Sequence, residues 1–383
     1  MPVISDDALA AWTRRSLARV DELLRSTLHN PRDPFLTTVA THLLNAGGKR
    51  LRPTVVLLAA RFGDPAHPHV VRAAAAVELM HVASLYHDDV MDEAPVRRGA
   101  PSVNARWGNR VAILAGDYLV AKAGELAAPL GSAALEAQAR MLTRLVTGQL
   151  RETVGAGRGD DPERYYMSVI ADKTAALFAL AAGLGARASG ATDQAAGALE
   201  AYGEALGIAF QLSDDLLDLS EPTARAGKPS NADLRQGVAT LPLLRALASR
   251  RSRGRDRALE TRGTGRRTSG RPETGGHTAG TPGTREKADS ALLRRQRRDS
   301  ARLRRMFASG RITGGRDVAQ AAELLRRSPG FAQAHAEARR HADDARRALE
   351  PLPPGPARDA LRDLCDHVVS RATPPAPPPD TGP

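Results

Sequence analysis

The chain has 383 residues, 42% of them hydrophobic but only 3% aromatic, with one cysteine, Cys365, and a formal net charge of +12. That is enough apolar material for one large core built mainly of Ala, Leu and Val. A lone cysteine excludes an internal disulfide and fits the cytoplasm, and no unbroken apolar run reaches the ~18 residues of a membrane span. The charge excess is local: residues 250–305 hold 18 of the 55 Lys and Arg and 6 of the 43 Asp and Glu, which leaves 37 of each sign elsewhere. The N-terminal MPVISDDALAAWTRR lacks the basic-then-apolar layout of a secretion signal.

Taken in chain order, nearly every segment reads as helix. Residues 5–28 place Leu9, Trp12, Leu17, Val20 and Leu24 near one face. Residues 34–45 form a second helix, stopped by Gly47 and Gly48, and a third starts around Pro53, a residue tolerated in a first turn. Helical patterning continues over 68–93, 105–127, 131–154, 162–188 and 192–220, then gives way to a turn-rich loop at 221–237. A short helix at 239–249 leads into residues 250–301, which are rich in Arg, Gly and Thr and poor in large apolar residues. Such a composition buries too little surface to offset its ordering entropy and reads as a disordered insertion, with an RNA or membrane-surface arm as the alternative. Helices resume near 302 and run through 315–327, 330–349 and 355–371, before a proline-rich tail at 373–383. The expectation is one all-α domain over 1–372, interrupted at 250–301.

The stretch HDDVMDEAPVRRG, residues 87–99, sets three aspartates beside two arginines. A plain salt-bridge cluster is one explanation; a site for metals and phosphates is another. Asp88 and Asp92 lie one turn apart and share a helix face, so they crowd negative charge that a hard cation such as Mg²⁺ would relieve. One DDxxD match is weak, because a solvated helix end gives the same string. A second match, Asp214, Asp215 and Asp218 in QLSDDLLDLS, strengthens it, since two such clusters can face each other across a bundle. Lys49, Arg50 and Arg52 in AGGKRLRP follow two glycines at a helix start, a setting that binds anions. Arg97 and Arg98 supply further cations. His81, about two turns before Asp88, shares its face, although a lone histidine there also suits a partly buried core position. Lys173 and Thr174 open an apolar helix segment, and Lys228 follows the second aspartate cluster.

These motifs resemble the trans-isoprenyl diphosphate synthases, the polyprenyl synthetase family. The resemblance is carried by GGKRLRP (47–53), ELMHVASLYHDDVMDEAPVRRG (78–99), LAGDYL (114–119), KTAALF (173–178), GIAFQLSDDLLD (207–218) and GKPSNADLRQGVATLP (227–242). It spans about residues 5–249 and resumes over 302–371. It implies an isoprenoid synthase-type helical bundle around a central apolar cavity, with three Mg²⁺ ions as cofactor, and a homodimer. Lys49, Arg52, His81 and Arg98 would bind isopentenyl diphosphate. Asp88, Asp92, Asp214 and Asp218 would bind metal, and Arg97, Lys173, Thr174, Gln211 and Lys228 would serve the allylic diphosphate. Val238 stands where the family often has lysine, which would weaken closure over the diphosphate. Ala83 and Ser84, small residues before Asp88, leave the cavity floor open, where short-chain members place an aromatic. The expected product is therefore a medium- to long-chain polyprenyl diphosphate of the kind used for quinone side chains, with geranylgeranyl diphosphate as the alternative. Such a product implies peripheral membrane association. A class I terpene cyclase would need no GGKRLRP, a non-catalytic subunit would show a decayed aspartate cluster, and a nucleic-acid binder would have no use for the metal motifs.

Overall fold

The computed structural model describes residues 4–220, 231–248, 294–295, 298–307 and 314–371. The chain opens with α1 (Asp7–Leu28), capped by Asp6, whose carboxylate accepts the Leu9 N–H at 2.7 Å. Next come α2 (Pro34–Asn45), entered through the Asp33 cap with proline in its first turn, and α3 (Leu51–Ala59), buried from Pro53 to Ala59. The centre of the bundle is α4 (Pro68–Met91). It is apolar almost all round, and a helix of that kind is stable only when neighbours cover every face. Ala73 to Ala76 and Leu79 are at most 1% exposed. Truncating Leu79 there would cost about 2–5 kcal/mol.

After α4 come a two-residue hairpin (Val96–Arg97 with Ala100–Pro101), α5 (Val103–Trp107), α6 (Asn109–Ala127) and α7 (Ser132–Val154). The expected helix 105–127 is thus divided, because Gly108 adopts φ 87° between α5 and α6. Then α8 (Pro162–Ile170), a π-turn at Ala171–Ala175 and α9 (Ala176–Ala188) form one continuous rod, followed by α10 (Asp193–Ser220). This rod is long and apolar enough to cross a membrane, yet 78% of its most apolar window is buried, as suits a core helix. The contact of α9 with α10 is close because a Cβ at Gly203 would lie 2.4 Å from the Phe178 carbonyl oxygen.

The remaining helices are α11 (Ala232–Gln236), α12 (Leu241–Ala248), α13 (Gly315–Arg326), α14 (Pro329–Ala348) and α15 (Pro356–Ser370). The loop expected at 221–237 therefore contains a short helix, and its 221–230 part, with Lys228, lies outside the described residues. The helix expected from 302 begins by 298, with Ser300 and Leu303 buried. Most of the 250–301 segment and the 373–383 tail also lie outside the described residues. Two apolar cores result. One joins α1–α4, α6, α9 and part of α10, while the other joins Tyr166, Leu216, Leu241, Leu303, Leu325 and Phe331.

Candidate active site

The last turn of α4 separates its aspartates by direction. Asp89 is fully buried and receives Arg97 Nε at 2.6 Å and Nη2 at 2.5 Å on the same carboxylate oxygen. Asp88 and Asp92 point elsewhere, with Asp92 exposed. Burial pushes the Asp88 carboxyl up to about 6; Lys173 opposes this shift and Asp92 reinforces it. Both explanations of HDDVMDEAPVRRG thus apply to different residues: Asp89 and Arg97 form a salt bridge, and Asp88 and Asp92 remain as a crowded carboxylate pair.

Above this turn lies a cluster with more positive than negative charge. Glu78 is 1% exposed and accepts Arg50 Nη1 at 3.0 Å, with Arg98 Nη2 at 3.8 Å. Burial pushes its carboxyl up, against the pull of Arg50, Arg98 and Arg52. Arg50 also reaches Asp21 at 2.9 Å, so it faces inward as a structural partner rather than joining Lys49 at the rim. Arg98 donates to the carbonyls of Leu43 at 2.9 Å and Gly47 at 2.5 Å. Arg98 and Gly99 have φ 55° and 77°, the left-handed pair that a tight hairpin turn uses. Arg50, at φ 48°, is left-handed as well. Two non-glycine residues in that region store strain of order 1–3 kcal/mol each, held by the contacts around Glu78. Gly48, at φ 149°, leaves room for both, since a Cβ there would meet Arg98 Nη1 at 2.8 Å.

Arg52 stacks on the Phe178 ring at 4.5 Å and points Nη1 at His81 Nε2, 3.3 Å away. Burial lowers its pKa to about 10, which leaves it cationic at neutral pH, and its Nε is buried without a partner. Burial, then Arg52, Arg98, Arg97 and Arg50, hold His81 well below its ordinary value. The imidazole is therefore neutral at pH 7 and accepts from Arg52. A cationic, partly unpartnered group of this kind favours an incoming anion. Arg52, His81 and Arg98 are thus brought together, while Lys49 is exposed at the rim.

The opposite wall is the π-turn. Arg144 of α7 anchors it through Asp172 at 2.9 Å and the Ala171 carbonyl at 3.1 Å, and binds Glu204 of α10 at 2.6 Å. Such one-turn bulges recur at functional sites. Lys173, projecting from the turn, pairs with Glu152. Burial opposes its charge, but Glu152, Asp88 and Asp92 outweigh that effect and hold its pKa above the ordinary value. Thr174 donates to Gln211 Oε1 at 2.8 Å, and Gln211 Nε2 donates to Asp215 Oδ1 at 2.8 Å.

The second aspartate cluster is arranged differently from the first. Asp214, 41% exposed, meets Arg371 Nη2 at 3.0 Å, and its charge also acts on Arg52. Asp215 is buried. Both oxygens of Asp218 accept backbone N–H groups of α11, from Ala232 at 3.0 Å and Asp233 at 3.2 Å. Asp218 therefore acts as a helix cap here. Ala83 is 1% exposed in the core, and Ser84 turns its hydroxyl onto the His81 carbonyl at 2.8 Å while remaining partly accessible.

Among the described residues, no group of three or more His, Cys, Asp or Glu could hold a metal alone. The Asp88–Asp92 pair suits a different mode. Two like charges one turn apart, one of them desolvated, favour a hard cation that keeps waters and takes further ligands from phosphates. Asp214, the corresponding carboxylate of the second cluster, is held by Arg371 at 3.0 Å. The sequence reading did not single out Glu78, Glu152 or Arg371. Glu78 had a legible signal, as an acid inside the apolar run VELMHVA that must find a cation. The other two become partners only through tertiary contact.

A family model described as polyprenyl synthetase matches residues 33–271. Nonaprenyl diphosphate synthase of Mycobacterium tuberculosis is 40% identical over 369 residues, covering 96% of each chain. Heptaprenyl diphosphate synthase component 2 of Geobacillus stearothermophilus is 42% identical over 245 residues, 64% of this chain and 76% of that one. Among solved structures, polyprenyl synthase from Caulobacter crescentus CB15, complexed with calcium and isoprenyl diphosphate, aligns with a TM-score of 0.77 at 32% identity, over 97% of this chain and 99% of the other. With the aspartate pair, the arginine cluster and the helical bundle of the same plan, this chain belongs to the polyprenyl synthetase family.

Proposed function

We propose that the protein condenses isopentenyl diphosphate with an allylic diphosphate to make a medium- or long-chain all-trans polyprenyl diphosphate. The observation that carries this reading is the division of charge along α4. A carboxylate pair faces Lys173 at one level, and surplus arginine surrounds His81 at the next. That arrangement suits two diphosphates, one approached through metal and one held directly by cations.

Mg²⁺, held by Asp88, Asp92 and Asp214 in a three-ion arrangement, would supply charge neutralisation to the leaving diphosphate. Lys173 adds a fixed positive charge beside the same pair, and fixed charges pre-aimed at developing negative charge are usually the largest catalytic contribution. Arg97, anchored by Asp89, extends that field. The allylic C–O bond breaks with its electron pair leaving on the diphosphate. The alkene of isopentenyl diphosphate, oriented by Lys49, Arg52, His81 and Arg98, then attacks the allylic cation. A proton is lost to the departing diphosphate, which restores the double bond. Apolar walls exclude the water that would quench the cation. Lys228 and Gln211 belong to the allylic side in this reading.

The nonaprenyl and heptaprenyl names of the relatives, and the small, partly accessible Ser84, support a long product over geranylgeranyl diphosphate; Ala83, 1% exposed, packs in the core instead. The relative named as a component keeps a second subunit in view. A homodimer is favoured by the apolar residues exposed on α6 and α7, with Leu114 at 67%, Leu150 at 62% and Val154 at 75%; Leu150→Glu should then yield a monomer by light scattering. A single cysteine fits a cytoplasmic enzyme whose product takes it to the membrane surface. Incubating the purified protein with Mg²⁺, labelled isopentenyl diphosphate and farnesyl diphosphate tests the reading. The expected product exceeds twenty carbons, and no Mg²⁺-dependent elongation would refute the function.

A further inference from the structure

A hydrogen-bond chain runs from the π-turn into the second core and ends on a tyrosine that the mechanism has not used. Thr174 donates to Gln211 Oε1 and Gln211 Nε2 donates to Asp215 Oδ1, both at 2.8 Å. Tyr166 of α8 donates its hydroxyl to the other oxygen, Asp215 Oδ2. The Leu241 backbone hydrogen-bonds to the same phenol, at the start of α12. Tyr166 is 8% exposed, Asp215 4% and Thr174 8%, so water competes little for these bonds.

The direction of the chain matters. A glutamine amide has nearly the same shape in both orientations, so only its partners decide which end faces Thr174. Here every proton points toward Asp215. Asp215 Oδ1 accepts from Gln211 and Oδ2 meets Tyr166, so both carboxyl oxygens are engaged. If its plane rotated, Gln211 would be free to flip, and Thr174 would meet an NH₂ group instead of a carbonyl. Its hydroxyl would then have to accept rather than donate, which would reverse its hydrogen-bonding role. The phenol, held on both sides, prevents that rotation.

We infer that Tyr166 is a positioning residue for prenyl transfer: through Asp215 it fixes the orientation of the Gln211 amide and hence the direction of the Thr174 hydroxyl. The inference rests on the proposed function for its kinetic consequence, but not for its geometry. Tyr166 lies eight residues from Thr174 in sequence and touches no substrate in this reading; its effect is transmitted through the chain.

The test has a structural arm and a kinetic arm. Side-chain amide hydrogen exchange of Gln211, assigned by loss of its signal in Gln211→Leu, is measured in the wild type and in Tyr166→Phe. The inference expects exchange to accelerate roughly tenfold in Tyr166→Phe, as one buried hydrogen-bond partner is worth about that factor; unchanged exchange overturns it. In the kinetic arm, Tyr166→Phe should lower kcat/KM for the allylic substrate about tenfold and leave KM for isopentenyl diphosphate within about twofold. Combined with Thr174→Val, it should add less than about twofold to the loss that Thr174→Val causes alone, because both cut one chain. Losses that multiply overturn it. If the wild type shows no prenyl transfer while Gln211 exchange responds, the positioning stands and the function fails. If Tyr166→Phe does not fold, Asp215→Ala takes its place with the same expectations, and failure of both to fold would make the chain a purely structural one and overturn the inference.

Discussion

Asp88→Asn should stabilise the metal-free protein while abolishing its turnover. The carboxyl is raised from 3.8 to about 6, so the folded state disfavours its charge. A shift of that size corresponds to roughly 3 kcal/mol at pH 7.5, where the group is ionised in both folded and unfolded chains. Partial solvent access reduces this to about 2 kcal/mol. The sign runs opposite to that of a salt-bridged aspartate. As pH falls through the folded value near 6, the native state takes up the proton first and the penalty shrinks, to about half at pH 5. Urea unfolding in EDTA at pH 7.5 and pH 5 reads both quantities. The variant should be more stable than wild type by about 2 kcal/mol at the higher pH and by about half that at the lower. Adding Mg²⁺ with diphosphate should stabilise the wild type alone, because the ligand binds only where the pair is intact. A variant less stable than wild type at pH 7.5 in EDTA would refute the argument that Asp88 is a strained, cation-seeking group.

Asp89→Asn, one residue away, should do the reverse and lose about 3–5 kcal/mol on urea unfolding, because it leaves the part-buried Arg97 without its countercharge; a change below about 1 kcal/mol would make that pair dispensable. Arg52→Ala should raise KM for isopentenyl diphosphate more than tenfold with a small change in KM for the allylic substrate, measured by steady-state kinetics with each substrate varied. Ser84→Phe should shorten the product while keeping the first condensation, as read by chromatography of the dephosphorylated chains. Ser84 is the better position than Ala83 for this test, since Ala83 is 1% exposed and a phenylalanine there would overpack the core.

Periodicity located most helices because α1, α2 and α7 each have one apolar face and clear stops. It located the shared face of Asp88 and Asp92 for the same reason, since residues four apart lie on one side of a helix whatever surrounds it. What a sequence period does not carry is direction in space. Asp88 and Asp89 are neighbours with opposite roles, and only the position of Arg97, in the hairpin strand that follows α4, distinguishes them. Arg50 and Arg52 pose the same problem: a left-handed residue turns the first toward Glu78, while helical geometry sends the second onto Phe178. Asp218 matched the pattern of a metal ligand, yet α11 lies close enough to receive it as a cap. The division of 105–127 at Gly108 was legible in principle, because a glycine beside Trp107 is a common stop signal.

The second core has a consequence for how the molecule tolerates breakage. Its two halves come from opposite sides of the segment 249–293, with Leu241 and Leu243 before it and Leu303, Val318 and Leu325 after it, all at most 1% exposed. Arg304 reaches directly across to the Leu247 carbonyl at 2.6 Å. The flanks therefore meet through buried side chains and a hydrogen bond of their own. A protease cut anywhere in 249–293 should leave two polypeptides that stay associated and co-purify, and the same stretch is a place where the gene could be split in two and the halves expressed separately.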